Sequence, residues 1–307
     1  MTLTINSGKI TRAVKTVIYG TEGIGKSTLA AKFPYPLFID IEGGTSQMDV
    51  RRVEPPKDWT ELLAVVNEAA AMPDVCKTLV LDTADRAENL LVNYICQKYR
   101  QNSIESFGYG KGYTYLGEEW QQLMAAFDRC IAAGMNVTVI AHARQRKIEQ
   151  PDQIGAYDHW EMKLSKQVAP LLKEWADLLL FLNYKTFVVT TDSNSKKAQG
   201  GKRMMYTSHN PVYDAKNRHN LPEEMDLSFD GIAQLFTQAP KTESSPLDRL
   251  KELMEDAGIT DYQLRRIVNL RGKYPEETPI EEYTPEFIEK FCIRYFDKIV
   301  EQIRGEE

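Results

Sequence analysis

The stretch GTEGIGKST, residues 20 to 28, decides the fold. Gly20, Gly25, Lys26 and Ser27 satisfy the phosphate-loop pattern G-x-x-x-x-G-K-[ST], with the β-rich run KTVIY before it and the helix-forming STLAAKF after it, stopped by Pro34. Glycines let the backbone fold tightly enough to turn its N–H groups on a polyphosphate, and the following helix adds its positive end. The expected cradle is Gly20, Thr21, Glu22, Gly23, Ile24, Gly25, Lys26, Ser27 and Thr28. Lys26 is expected to reach the β and γ phosphates of ATP, and the Ser27 hydroxyl to ligate Mg²⁺.

Outward from that loop, short apolar runs alternate with amphipathic segments. TVIYG, PLFIDIE, KTLVLDT, NVTVIAH and DLLLFLN read as buried strands, and WTELLAVVNEAAAM, RAENLLVNYICQKYR, GEEWQQLMAAFDRCIAAG and KQVAPLLKEWA as helices at the 3.6 period. Alternation of this kind predicts an α/β fold, a mostly parallel sheet with helices on both faces. TFVVTT, RMMYTS and VYDAK suggest an antiparallel extension. The organisation expected is a P-loop domain over residues 1–236, a linker over 237–246 and a small helical module over 247–307.

The 307-residue chain is 27% charged and 42% hydrophobic with a net charge of -6, an ordinary globular composition. The charge is uneven: from Pro246 onward there are 10 basic and 15 acidic residues, against 28 and 29 before it. No bulk basic field draws in a polyanion, so nucleic-acid contacts would need local patches. No apolar run reaches membrane-spanning length and the N-terminus lacks a signal-peptide core, which predicts a cytoplasmic protein without membrane association. The four cysteines, far apart and without C-x-x-C spacing, read as reduced core thiols.

In an open parallel sheet the ligand lies at the carboxyl ends of the strands. Asp82 closes TLVLD and is the expected second acid on the metal side. Glu42, at the tip of FIDIEGG, is placed to polarise the attacking water, and Asp40, two residues earlier, competes with it. His142 ends VTVIAH where a γ-phosphate sensor is expected. Lys216 and Arg218 in AKNRHNLP, two apart on one face of an extended segment, suit a finger reaching the nucleotide of a neighbouring subunit.

GTEGIGKS, FIDIEGG, TLVLDT, SFGYGKGYTYLGEEW, VTVIAHARQRK and AKNRHNLP, taken in order over about residues 12 to 235, resemble the phage ATP-binding proteins of the RecA superfamily, the Sak-type single-strand annealing or recombination proteins. The resemblance implies a shortened RecA-like core and an ATPase in a phage protein. It implies that Lys26 and Ser27 hold phosphate and metal, that Asp82 is the second metal-side acid, that Glu42 is the catalytic glutamate, and that Lys216 and Arg218 form a K-x-R finger in trans. RecA carries glutamine where this chain has His142, which loosens the expected link between nucleotide state and DNA contact.

The resemblance also implies two DNA-carrying loops. One covers about 103 to 117, with Phe107, Tyr109, Lys111, Tyr113 and Tyr115; the other covers about 143 to 163, with Arg144, Arg146, Lys147, Tyr157, Trp160 and Lys163. Aromatics interleaved with cations suit single-stranded DNA. The leading expectation is an ATPase assembling as a filament or ring on single-stranded DNA in recombination or replication. A P-loop small-molecule kinase and a non-hydrolysing, ATP-gated DNA loader are the alternatives. The C-terminal module, whose acidity argues against a principal DNA role, is read as a docking unit for other phage proteins; SKKAQGGKR, 195–203, a basic, glycine-containing turn, is read as a solvated hairpin tip, with a contact to phosphates as the alternative.

Overall fold

The computed structural model describes residues 12–149, 155–190, 196–237 and 246–305. The chain divides into two compact units, Met1–Pro240 and Lys241–Glu307. Apart from its two end residues, the expected linker lies outside the described residues.

In the first unit, β1 (Lys15–Gly20) leads through the glycine loop into α1 (Lys26–Ala30). There follow β2 (Pro36–Asp40), β3 (Arg51–Arg52), α2 (Trp59–Ala71), β4 (Thr78–Asp82), α3 (Ala84–Lys98), α4 (Lys111–Ala132), β5 (Asn136–Glu149), β6 (Ala156–Met162), α5 (Val168–Trp175), β7 (Leu178–Thr190), β8 (Lys196–Tyr206), β9 (Lys216–Asn217), β10 (Glu224–Asp226) and α6 (Gln234–Thr237). The sheet order is β10-β8-β7-β1-β5-β4-β2-β3. The strands from β7 to β3 run parallel, and β8, β9 and β10 add antiparallel pairings at the β7 side. This is the expected α/β class, a mostly parallel sheet with helices on both faces.

The period of two in a strand divides the core between the sheet faces. Val17, Tyr19, Leu79, Leu81, Val137, Val139 and Phe181 pack beneath Trp59, Leu91, Trp120 and Leu172 of α2 to α5. Ile18, Leu178, Leu180 and Leu182 point to the other face, against Leu29, Ile232 and Phe236. Both faces are covered, which is why these strands read as unbroken apolar runs rather than as alternation.

Register positions the site. Gly20 pairs with His142 on one side and Leu182 on the other, and Asp40 pairs with Asp82. The carboxyl ends of β1, β5, β4 and β2 therefore end close to one another.

Several expected boundaries move. β5 does not stop at His142: its outer half, Ala143–Glu149, pairs antiparallel with β6 as a two-stranded ribbon. β7 fuses the two runs DLLLFLN and TFVVTT into one strand, and of VYDAK only Lys216 is in a strand. α4 starts at Lys111, six residues before the expected Gly117.

The second unit holds α7 (Pro246–Ala257), α8 (Asp261–Leu270) and a last helical stretch. The last stretch is not one uniform helix as expected: it is α-helical over Pro285–Phe287, π-helical over Ile288–Ile293 and α-helical over Phe296–Gly305. α8 opens with a capping box between Thr260 and Gln263. Leu250, Leu264, Ile267, Val268, Cys292 and Ile299 form a separate core. All four cysteines are free, and no helix among the described residues is long and apolar enough to cross a membrane.

Candidate nucleotide site

The loop after β1 owes its shape to its glycines. A Cβ on Gly20 would sit 2.4 Å from the Leu182 carbonyl oxygen, so the strand pairing itself demands glycine there. Gly25, the N-cap of α1, has φ 109°, a conformation side chains rarely adopt. Lys26 is 7% exposed, and its Nζ donates to the carbonyl oxygens of Gly20 (3.2 Å) and Thr21 (3.0 Å). Burial lowers its pKa, with the carboxylates of Asp82, Glu42, Asp85 and Glu22 opposing. The ammonium thus sits where the acids at the strand ends act on it.

Ser27 and Asp82, 55 residues apart in sequence, meet directly: Ser27 Oγ donates to Asp82 Oδ2 at 2.6 Å. Asp82 is 2% exposed, and burial pushes its carboxyl up to about 6; Asp40 and Glu42 add to the rise, whereas the Ser27 bond opposes it. A buried acid of this kind is relieved by a divalent cation, so this pair fits Mg²⁺. No group of three or more His, Cys, Asp or Glu side chains among the described residues could hold a metal by itself. The remaining ligands would have to come from phosphate and water.

Asp40 and Glu42 part company. Asp40 accepts from the backbone N–H groups of Gly43, Gly44 and Thr45 and from the Thr45 hydroxyl. Burial alone would raise its pKa; these bonds outweigh it and hold the carboxyl below the usual range. Asp40 is thereby committed to shaping the turn beyond β2. Glu42 stands at the tip, its side chain 30% exposed, with Oε2 3.8 Å from His142 Nε2.

His142 has a partner that the sequence reading missed. Asp85, in the first turn of α3, accepts from the His142 backbone N–H (3.1 Å) and lies 3.0 Å from Nδ1. The bond to Asp85 raises the histidine pKa, and burial opposes it only in part. The imidazole is therefore held between Asp85 on one nitrogen and Glu42 on the other. Glu22, Glu42, Asp85, Glu88, His142 and Lys163 line a cavity of about 180 Å³ here. Its carboxylates suit a cation and water rather than a bare phosphate. Lys163, expected on a DNA loop, belongs to this cavity instead.

A second residue without a motif is Arg203 on β8, whose Nη1 lies 3.4 Å from the Ile24 carbonyl oxygen. A Cβ on Gly25 would come 3.1 Å from the same nitrogen. An arginine of the same chain thus overhangs the glycine loop.

Lys216 and Arg218 are not brought to that loop. Lys216 pairs with Leu179, three residues before the Leu182 that faces Gly20, on the side of β7 away from β1. Its Nζ donates to the carbonyl oxygens of Lys173 and Glu174 at the end of α5, whereas Arg218 Nη1 donates to Asp177 Oδ1 at 2.8 Å. Both lie toward the amino ends of the strands, so any contact with a nucleotide at this kind of site has to be made on another copy.

Much of the two expected DNA loops is regular structure, and residues 150–154 of the second lie outside the described residues. Within 103–117, Ile104–Phe107 is a 3₁₀ turn, and Lys111, Tyr113 and Tyr115 are on α4. Phe107 and Tyr115 pack with Tyr99, while Tyr113 donates to Glu105. Tyr109 alone is fully exposed, at φ 47° between the left-handed Gly108 and Gly110. In the ribbon, the period of two separates the ARQRK patch: Arg144 and Arg146 share one face, and Lys147 lies on the other. Glu161 partly neutralises the first face, 2.9 Å from Arg144 and 4.0 Å from Arg146. Trp160, bonded through its backbone to Val212 and ringed by Phe181, belongs to the core rather than to a binding surface. Tyr113 and Arg144 do meet, with Ser165, Lys166 and Gln167, around a cavity of about 420 Å³.

A glycine loop between β1 and α1, with a buried acid from β4 bonded to its serine, defines the P-loop nucleotide-binding class. Residues 12–219, more than half of the chain, match the family described as an AAA domain, and the chain belongs to that family. It is 24% identical over 136 residues to the SPbeta prophage-derived uncharacterized protein YorG of Bacillus subtilis (strain 168), covering 42% of this chain and 41% of that protein. Similar solved structures include the flagellar accessory protein FlaH from Methanocaldococcus jannaschii (14% identity, TM-score 0.36, 68% of this chain and 81% of that one). Another is the KaiC-like protein PH0186 from Pyrococcus horikoshii OT3 (12% identity, TM-score 0.33, 65% of this chain and 80% of that one).

Proposed function

We propose that this chain is a Mg²⁺-dependent ATPase of RecA-like type that acts on single-stranded DNA in phage recombination, annealing or replication. The observation that carries the ATPase reading is the convergence of Lys26, Ser27, Asp82, Glu42 and His142 at the strand ends, with Ser27 bonded to Asp82. The backbone of Gly20–Thr28 cradles the phosphates, and Lys26 leaves its two carbonyls for phosphate oxygens. Ser27 and Asp82 would hold Mg²⁺, which when bound offsets the negative charge of the phosphates. Glu42 orients the attacking water and takes its proton, because Asp40 is spent on the turn. His142, anchored by Asp85, senses the γ-phosphate and holds or frees Glu42.

The DNA reading is supported by Tyr109, fully exposed where an aromatic residue gains nothing from folding, and by Tyr113, Arg144 and Lys166 around one cavity. The prophage origin of its relative supports the phage setting. Lys216 and Arg218 act in trans, so turnover requires self-assembly as a ring or filament.

The test is ATP turnover with and without single-stranded DNA for the wild type, Lys26→Ala, Arg218→Ala and a mixture of the two variants. DNA stimulation, inactivity of each variant alone and recovery in the mixture are expected. Equal wild-type rates with and without DNA at every protein concentration would remove the DNA reading, and an inactive mixture would remove the shared site.

A further inference from the structure

The net acidity of the C-terminal unit conceals a segregation of its charges. Arg249, Lys251, Arg265 and Lys290 are ion-paired with Glu289, Glu281, Asp261 and Glu286. Arg271, Lys273, Arg294 and Lys298 form no ion pair among the described residues, and all four are exposed. These four gather around two aromatic rings. Arg271 and Lys273 each lie 6.0 Å from the Phe291 centroid, and Arg294 and Lys298 lie 5.7 and 5.9 Å from that of Tyr295.

The rings belong to a row. Phe287 stacks on Phe291 with centroids 5.0 Å apart and planes 15° from parallel, and Tyr295 follows at 6.1 Å. The π-helical turn over Ile288–Ile293 accounts for this alignment: i→i+5 bonding widens the turn, so residues four apart come nearly into line. Tyr295 is 38% exposed at the outer end. Arg271 and Lys273 lie over the Phe291 ring and Arg294 and Lys298 over the Tyr295 ring, near the outer limit of a cation–π contact, about 6 Å. Phe287 and Phe291 are half-buried against the core of the unit, which leaves Tyr295 as the exposed ring; an exposed aromatic residue amid four cations without ion pairs among the described residues offers what a nucleic-acid single strand needs, stacking for a base and neutralisation for its phosphates. An acidic peptide would use the cations but not the exposed ring of Tyr295.

We propose that this face of the C-terminal unit binds single-stranded DNA, with a base stacking on Tyr295 and phosphates against Arg271, Lys273, Arg294 and Lys298. It rests on the substrate class proposed above, yet uses none of the residues assigned to the ATP-binding unit. Binding here is independent of nucleotide and tolerant of sequence.

The test uses the full chain and a fluorescent thymidine oligonucleotide, with anisotropy read over a series of KCl concentrations in the Lys26→Ala background. Tyr295→Ala is expected to weaken binding about fivefold or more, the loss of one stacked base. The double variant Lys273→Gln/Arg294→Gln is expected to flatten the log–log salt dependence by about 1.4, since each phosphate contact on a single strand contributes about 0.7. All three changes are on the surface, and unchanged thermal unfolding confirms that the unit stays folded. Photo-crosslinking of a 4-thiothymidine oligonucleotide, mapped by mass spectrometry, locates the contact. Crosslinks within 287–298 support the proposal. Crosslinks confined to 103–117 and 143–163 overturn it and leave the DNA role of the first unit standing; crosslinks in the C-terminal unit alone do the reverse. Unaltered affinity and salt slope in both variants, or equal competition by an acidic peptide of the same charge, also overturn it.

Discussion

Replacing Asp82 with asparagine should stabilise the protein while disabling it. Burial lifts the Asp82 carboxyl from 3.8 to about 6, so the folded chain holds an ionised acid at neutral pH against its preference. A shift of about 2 units corresponds to a ceiling of about 3 kcal/mol. The folded carboxyl is the weaker acid, so this penalty is absent below pH 3.8, grows as the pH rises and is complete above about pH 6. Asparagine removes the charge but weakens the bond from Ser27 by about 1 kcal/mol, leaving a net gain of about 2 kcal/mol. For a unit of this size that raises Tm by about 4–8 °C. Calorimetry of the two proteins near pH 7.5 should show that gain, and near pH 5, where about half of the penalty remains, it should shrink to about 0.5 kcal/mol. Adding Mg²⁺ and ATP should raise the Tm of the wild type and leave the variant where it was. A variant less stable than the wild type at both pH values, or a gain independent of pH, would refute the argument that Asp82 is a strained acid awaiting a cation.

Four further outcomes follow from the same geometry. Glu42→Gln should abolish turnover and keep nucleotide affinity in a fluorescent-ATP titration, whereas Asp40→Asn should lower Tm by about 1–3 kcal/mol equivalent because four donors at Gly43, Gly44 and Thr45 lose a charged acceptor. Asp85→Asn removes the bond that raises the His142 pKa; since both ring nitrogens must carry a proton to donate to Asp85 and to a phosphate, the alkaline limb of the turnover–pH profile that reports His142 should move to lower pH, and an unmoved limb excludes the Asp85–His142 pair from the reaction. Arg203→Ala, which removes a cation 3.4 Å from the loop carbonyl of Ile24, should raise the KM for ATP several-fold with Tm within about 1 °C of the wild type, as for a surface change.

The parts of this fold legible in the sequence were those fixed by local chemistry. The glycine loop reads directly because φ 109° at Gly25 and the approach of Leu182 to Gly20 admit no other residue. The parallel strands read because burial on both faces makes them apolar throughout. Asp85 did not read and Arg203 read only as the end of the basic turn SKKAQGGKR, since neither has a motif: one reaches His142 only because α3 starts beside β5, and the other reaches Ile24 only through the β7–β8 register. The DNA segments were placed by the family resemblance, which carries no local secondary structure, so neither the helix start at Lys111 nor the ribbon strand after His142 could be read from it. KGYTY has the spacing of an exposed helix start, and ARQRK is a ribbon strand with both faces polar, so composition could not separate either from a loop. The separation of Asp40 from Glu42 was likewise invisible, as it depends on a turn that folds three backbone donors back on one carboxylate.

The internal bonds of the site argue that ligand binding is an exchange rather than an addition. Lys26 Nζ donates to Gly20 and Thr21, Ser27 to Asp82, and His142 is tied to Asp85. Each of the first two donors has an acceptor that a phosphate or a metal would replace, and a donor already satisfied returns only the difference between two bonds. Net affinity therefore has to come from the charge terms: relief of Asp82 by a cation, and triphosphate oxygens placed against a buried ammonium and the N-terminal end of α1. His142 differs, because its bond to Asp85 involves Nδ1 and leaves Nε2 facing Glu42. A γ-phosphate that takes Nε2 releases Glu42 without disturbing Asp85. On the proposed mechanism, sensing would cost one weak contact at 3.8 Å, while the anchored side of the ring would keep its place, and the carboxylate proposed to orient the water would be freed only when the third phosphate is present.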